Sequence, residues 1–82
     1  MATLIYQGEL RRLTGKHDET ADVASMNEVM RYLSKTYGKE VLQHARRCLV
    51  ALDGVKVENL NKREKTVSAG SEVYFFPLGC GG

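Results

Sequence analysis

The stretch Glu72-Val73-Tyr74-Phe75-Phe76-Pro77, EVYFFP, fixes what the rest of the chain must build around. β-branched and aromatic residues fit a pleated, half-buried surface, so residues 72–76 read as a strand. Ala69-Gly70-Ser71 ahead of it reads as a turn. Pro77 has no amide hydrogen and ends the ladder. After it come only Leu78-Gly79-Cys80-Gly81-Gly82, a run with almost no side chains. The other short apolar and aromatic run, at residues 3–7, reads as a first strand. Both runs suit the middle of a sheet, side by side.

Between these two strands the strongest signal is a helix. Ser25-Met26-Asn27-Glu28 matches a capping box, in which the Ser hydroxyl accepts the amide of Glu28 and the Glu side chain reaches back to the Ser amide. Met26, Val29, Met30, Leu33 and Tyr37 follow at helical spacing, and Gly38 is a natural left-handed stop. That stripe faces a core, since a small domain needs such a face to fold. Residues 8–16, punctuated by Gly8 and Gly15, read as a connection. Residues 18–23 read as a return strand. Residues 39–45 stay ambiguous, with Val41, Leu42 and Ala45 able to form a further helical turn. The continuous apolar run at residues 48–52 suits a strand buried on both faces. Asp53-Gly54 signals a tight hairpin to Val55-Lys56-Val57, and residues 58–66 read as a polar loop.

One helix and four to five strands bury the stripe only if the helix lies across one face of the sheet. The expected fold class is therefore α+β, of the β-grasp (ubiquitin-like) kind, with a mixed sheet and one main helix. The expected organisation is a domain at residues 1–77 and a flexible tail at residues 78–82.

Composition narrows the functional classes. The chain has 82 residues, enough for one modest core. A net charge of +2 gives no reason to expect nucleic acid as partner. There is no apolar run long enough to span a membrane and no basic-then-apolar leader. Cys48 and Cys80 share no metal-ligand spacing and read as thiols in a reducing, cytoplasmic setting. His17 and His44 form no ligand pattern either, so no metal is expected. The basic pairs Arg11-Arg12, Arg46-Arg47 and Lys62-Arg63 read as solvated surface. No phosphate-binding loop, nucleophile elbow or paired-carboxylate pattern is present. Cys48, inside an apolar run, reads as a small core hydrophobe. Cys80 reads either as a tolerated tail residue or as an oxidisable thiol.

The tail has its own chemistry. Fully extended, five residues reach roughly 16–18 Å. Glycines pass through a channel that excludes larger residues and accept whatever φ it imposes. The group presented is the α-carboxylate of Gly82, a poor electrophile until another enzyme activates it, for example as an acyl-adenylate. A frayed end without function is the alternative. Two terminal glycines occur by chance in about one chain in 200, so the pair gains weight only from the aromatic strand and proline ahead of it.

The stretch from Ala69 to Pro77, ending in Gly81-Gly82, resembles the end of the ubiquitin-like sulfur carriers, most of all the small subunit of molybdopterin synthase. Leu10-Arg11-Arg12-Leu13-Thr14-Gly15 resembles that family's Arg-x-Leu-x-Gly segment. The capped helix, the Val50-Ala51-Leu52-Asp53-Gly54 hairpin and the overall length are also similar; Leu78-Gly79-Cys80 departs from the pattern. The resemblance implies a carrier without catalytic machinery of its own and with no bound cofactor. An adenylating enzyme of the ubiquitin-activating type, using ATP-Mg, would activate Gly82. A sulfur donor protein would then convert it to a thiocarboxylate. The tail would deliver that sulfur in the large subunit of molybdopterin synthase, for molybdenum or tungsten cofactor synthesis. Gly81 would be its slim neighbour, and Phe75 or Phe76, Pro77 and Leu60 the apolar docking surface, with Arg11 as a further partner contact. Carriers for thiamine, tRNA thiolation or cysteine synthesis, a protein modifier joined through Gly82 to a lysine, and a domain with an inert tail are the alternatives.

Overall fold

The computed structural model describes residues 1–57 and 67–77. The expected loop at 58–66 and the tail at 78–82 lie outside the described residues. Five strands, β1 (Ala2–Tyr6), β2 (Asp18–Ala21), β3 (Leu49–Leu52), β4 (Val55–Lys56) and β5 (Glu72–Phe76), make one mixed sheet in the order β2-β1-β5-β3-β4. β1 and β5 lie side by side at its centre and run parallel, with Tyr6 opposite Phe75. The other pairings are antiparallel. This is the β-grasp arrangement expected from the two aromatic runs. Parallel neighbours cannot be joined by a tight turn, so the chain between them travels through the helices and the remaining strands.

Three helices are described: α1 (Glu9–Thr14), α2 (Met26–Tyr37) and α3 (Lys39–Arg46). α2 starts where the capping box puts it, with Ser25 Oγ accepting the Glu28 amide at 3.2 Å. The reciprocal bond differs: Glu28 accepts the amide of Ala24, one residue before the cap, at 2.8 Å. Met26, Val29, Met30 and Leu33 are all buried. Gly38 does end α2, but at φ 104 and ψ −177, an extended glycine conformation and not the left-handed helical one. From it α3 starts at once, resolving the ambiguous segment as a helix with Val41 and Ala45 buried. Residues 8–16 are not a plain connection, because six of them form α1, closed by Gly15 in the left-handed conformation.

The core lies between the helices and one face of the sheet. Leu4, Tyr6, Val50, Val73 and Phe75 point into it from the strands, and Leu10, Met26, Val29, Leu33 and Ala45 from the helices. Cys48 joins this core; burial pushes its thiol pKa up. β3 is not buried on both faces as its apolar run suggests: Val50 is buried, but Leu49, Ala51 and Leu52 are only half-buried. Asp53, at φ 51, and Gly54 make the expected tight turn. The Asp53 carboxylate also accepts the Ser71 hydroxyl and the Glu72 amide, both at 2.9 Å, tying the turn to the start of β5.

At the border of the core, Glu19 of β2 collects a polar cluster. Its carboxylate accepts the hydroxyls of Tyr6 at 2.5 Å, Tyr37 at 2.6 Å and Tyr32 at 2.8 Å, and the Lys16 ammonium at 3.1 Å. Burial by itself raises the pKa of that carboxyl. The hydroxyl bonds from Tyr37, Tyr6 and Tyr32, with Lys16, outweigh it and hold the carboxyl below its usual value. The cluster ties β1, β2 and α2 together through one side chain.

Candidate functional site

The geometry that matters is the end of the sheet where β5 stops. Successive strand residues point to opposite faces, and the register of β5 settles which. Phe75 is fully buried and faces the helices, its ring 5.9 Å from that of Tyr6. It belongs to the core, which corrects its place among the docking residues. Tyr74 and Phe76 face the other way, half-buried, with rings nearly parallel and 5.7 Å apart. Beside them on that face stand Ile5, paired with Tyr74, and Leu49 and Ala51, paired with Phe76 and Tyr74. None of these five is packed into the core cluster. The open face of the sheet is therefore an apolar strip, and no described helix lies on it.

Pro77 follows at the end of the strip and is exposed. The same end carries Arg11, exposed on α1, whose Nε donates to the carbonyl of Tyr6 at 3.2 Å. That bond anchors the guanidinium beside the last residue of β1. Arg12 pairs with Glu9 within α1. Leu60, Gly81 and Gly82 lie outside the described residues. Of the expected docking residues, the structure thus brings Phe76, Pro77 and Arg11 to one end of the molecule and sends Phe75 inside.

Other candidate chemistry is sparse. His17 Nδ1 lies 2.8 Å from Asp18 on the surface, and His44 lends its carbonyl to the Cys48 thiol. No group of three metal-ligating side chains occurs among the described residues, and no described helix is long and apolar enough to cross a membrane. What the arrangement offers is a strand, β5, that stops at an exposed proline beside an apolar face.

The family profile of ThiS matches residues 4–82. The chain belongs to the ThiS family. No curated protein sequence matches it. Solved structures do. The complex of subunits 1 and 2 of molybdopterin-converting factor from Helicobacter pylori 26695 matches at 21% identity and a TM-score of 0.69, covering 99% of this chain and 97% of the other. SAMP1 from Haloferax volcanii matches at 17% identity and a TM-score of 0.73, covering 99% and 98%. A putative molybdopterin converting factor subunit 1 from Pyrococcus furiosus matches at 17% identity and a TM-score of 0.72, covering 93% and 94%. At these identities the likeness establishes the shared fold. The β-grasp assignment and the ThiS-family match agree: the family profile runs from within β1, through the helices and the other strands, to residue 82.

Several residues of this ThiS-family surface escape a reading of the sequence alone. Tyr74, Ile5 and Leu49 share the open face with Phe76. The signal for Tyr74 is the two-residue alternation itself, which puts it on whichever face Phe76 takes. For Ile5 and Leu49 the signal is the strand register, which the sequence does not print.

Proposed function

We propose that this chain is a sulfur carrier for molybdopterin synthesis, working through the carboxylate of Gly82. A carboxylate oxygen of Gly82 attacks the α-phosphorus of ATP in an adenylating enzyme, and pyrophosphate leaves. A sulfide-level sulfur nucleophile then attacks the acyl carbon, AMP departs, and a thiocarboxylate remains. In a large synthase subunit this sulfur forms a bond to a pterin precursor, and water takes its place on the acyl carbon, restoring the carboxylate. The observation that carries the reading is the family match, which spans residues 4–82 and so takes in Gly81-Gly82. The apolar strip of Tyr74, Phe76, Ile5 and Leu49 beside Pro77 suits a partner that holds the body while the tail is in its channel. The Helicobacter pylori neighbour, a two-subunit complex, supports the large subunit as that partner.

The test is mass spectrometry of the C-terminal peptide after incubation with ATP, the activating enzyme and a sulfur source. The expected product has one sulfur in place of one oxygen at Gly82. Deleting Gly82 abolishes it, with little change in thermal stability. An unaltered peptide overturns the reading.

A second reading has its own support, because another neighbour is the small archaeal modifier protein 1 of Haloferax volcanii. A modifier would use the same adenylate, but a lysine amine would displace AMP. Intact masses from native cells would then contain branched adducts through Gly82.

A further inference from the structure

β1 and β5 run parallel, with Tyr6 level with Phe75. Continuing that register by two residues brings Gly8 level with Pro77, and there the two chains part. Pro77 has no amide to offer its neighbour. Gly8 turns at φ 62 and ψ −133, a conformation open to glycine and strained for L side chains. Its carbonyl then accepts the amides of Arg11 and Arg12, starting α1. A Cβ placed on Gly8 would lie 3.1 Å from Cγ and 3.5 Å from Cβ of Pro77. The other described glycines, Gly15, Gly38, Gly54 and Gly70, have nothing within 4 Å of that position. Gly8 alone among them uses its missing side chain to admit another residue.

We propose that Gly8 is a positioning residue for the C-terminal tail: its bare Cα is the seat of the Pro77 ring, and the seat sets the direction in which residues 78–82 leave the sheet. The proposal deepens the sulfur-carrier reading and rests on it. A methyl group on residue 8 must push the ring aside by a few tenths of an ångström. Pro77 is the root of a tail whose extended reach is roughly 16–18 Å. With a tail this short, a shift of Pro77 moves the point from which Gly82 must reach a partner's active centre. Misplacing a reacting atom by about 1 Å can cost about 100-fold in rate. The strip of Tyr74, Phe76, Ile5 and Leu49 on the open face does not include Gly8, so the loss falls more on turnover than on recognition.

Four chains decide it: the unsubstituted protein, Gly8→Ala, Pro77→Ala and the double variant. Each is assayed for sulfur transfer to a synthase large subunit. Gly8→Ala is expected to lower kcat by about tenfold or more and to raise KM for the carrier by a smaller factor. In the Pro77→Ala background, where Cγ is absent, adding Gly8→Ala should cost much less. An equal loss in both backgrounds would mean strain in α1 and no seat, and overturns the proposal. A nitroxide on Cys80, in chains carrying Cys48→Ala, reads tail direction without any partner. Its pattern of amide broadening should move in Gly8→Ala, and an unmoved pattern counts against the seat and overturns it. If Gly8→Ala does not fold, Pro77→Ala alone empties the seat from the other side, and its broadening should spread over more amides; no spread overturns the idea. If the unsubstituted chain carries no sulfur, the nitroxide result still reports on the seat, so the two failures are told apart.

Discussion

Glu19 shows how much a single side chain carries in a small fold. Its side chain is 9% exposed and receives four hydrogen bonds, from Tyr6, Lys16, Tyr32 and Tyr37. Glu19→Gln keeps the shape but removes the charge, and an amide nitrogen then faces hydroxyls that need an acceptor. Hydrogen bonds to a charged group are worth about 1.5–3 kcal/mol each, so a net loss of roughly 2 kcal/mol is expected by chemical denaturation. The pH dependence has a definite sign. The folded carboxyl titrates below its usual value of 4.5, so its contribution is present above that pH and fades as pH falls through the lower folded value. Unfolding curves should show the unsubstituted protein losing its advantage over Glu19→Gln as the solution is acidified below about 4.5; a constant difference would contradict this. Nothing in Asp18-Glu19-Thr20-Ala21 advertises the role, because the tyrosines that meet there are 13 and 18 residues away. The same limit applies to Phe75 and Phe76. Alternation says that they face opposite ways, but only the register with β1 says which is inside.

At the scale of elements, legibility follows the strength of local chemistry. β5 is visible residue for residue, because aromatic and β-branched side chains run straight into a proline. α2 is visible because cap and apolar stripe agree. α1 is not, since six residues with Leu10 and Leu13 as their only apolar members leave no periodicity to read, and its bracketing glycines look like loop punctuation. Its helical state comes from tertiary contact: Leu10 is fully buried and α1 packs on α3. The stripe of α3 is similarly short and compatible with a lone turn; burial of Val41 and Ala45 in the core is what makes it a helix. The difference between α1 and α2 predicts how each responds to local change. Ser25→Ala removes the acceptor for the Glu28 amide, and such caps are worth about 0.5–2 kcal/mol. For a domain of this size each kcal/mol moves Tm by about 4–8 °C. Calorimetry should therefore find Ser25→Ala melting several degrees lower. A change under about 1 °C would mean that α2 is held by packing alone and that the cap is incidental.

The whole molecule is built on a sheet with two unlike faces, and the proposed function gives each a separate task. One face is covered by helices: Leu4, Tyr6, Val50, Val73 and Phe75 are each 1% exposed or less. The other keeps Tyr74, Phe76, Ile5 and Leu49 half-buried beside the point where the chain leaves. An apolar surface left uncovered on a small protein marks a place for a partner. On the proposed function, two adjacent phenylalanines separate folding from recognition. Phe75→Ala empties a core position at about 3–5 kcal/mol, a large part of the stability of so small a domain. Phe76→Ala loses the stack on Tyr74, about 0.5–1.5 kcal/mol, and the burial of a half-exposed ring, and should lower Tm by clearly less than Phe75→Ala does. Binding to the synthase large subunit should show the reverse order. An interface anchor is worth about 2 kcal/mol or more, so Phe76→Ala should weaken Kd by about 30-fold. Refolded Phe75→Ala, measured where it remains folded, should bind within a few-fold of normal. Equal affinity for Phe76→Ala and the unsubstituted chain would leave the open face without a part in docking. The grip on the carrier would then have to come from Arg11 and the tail, and the turnover assigned to Gly8 would be measured on a loosely held body.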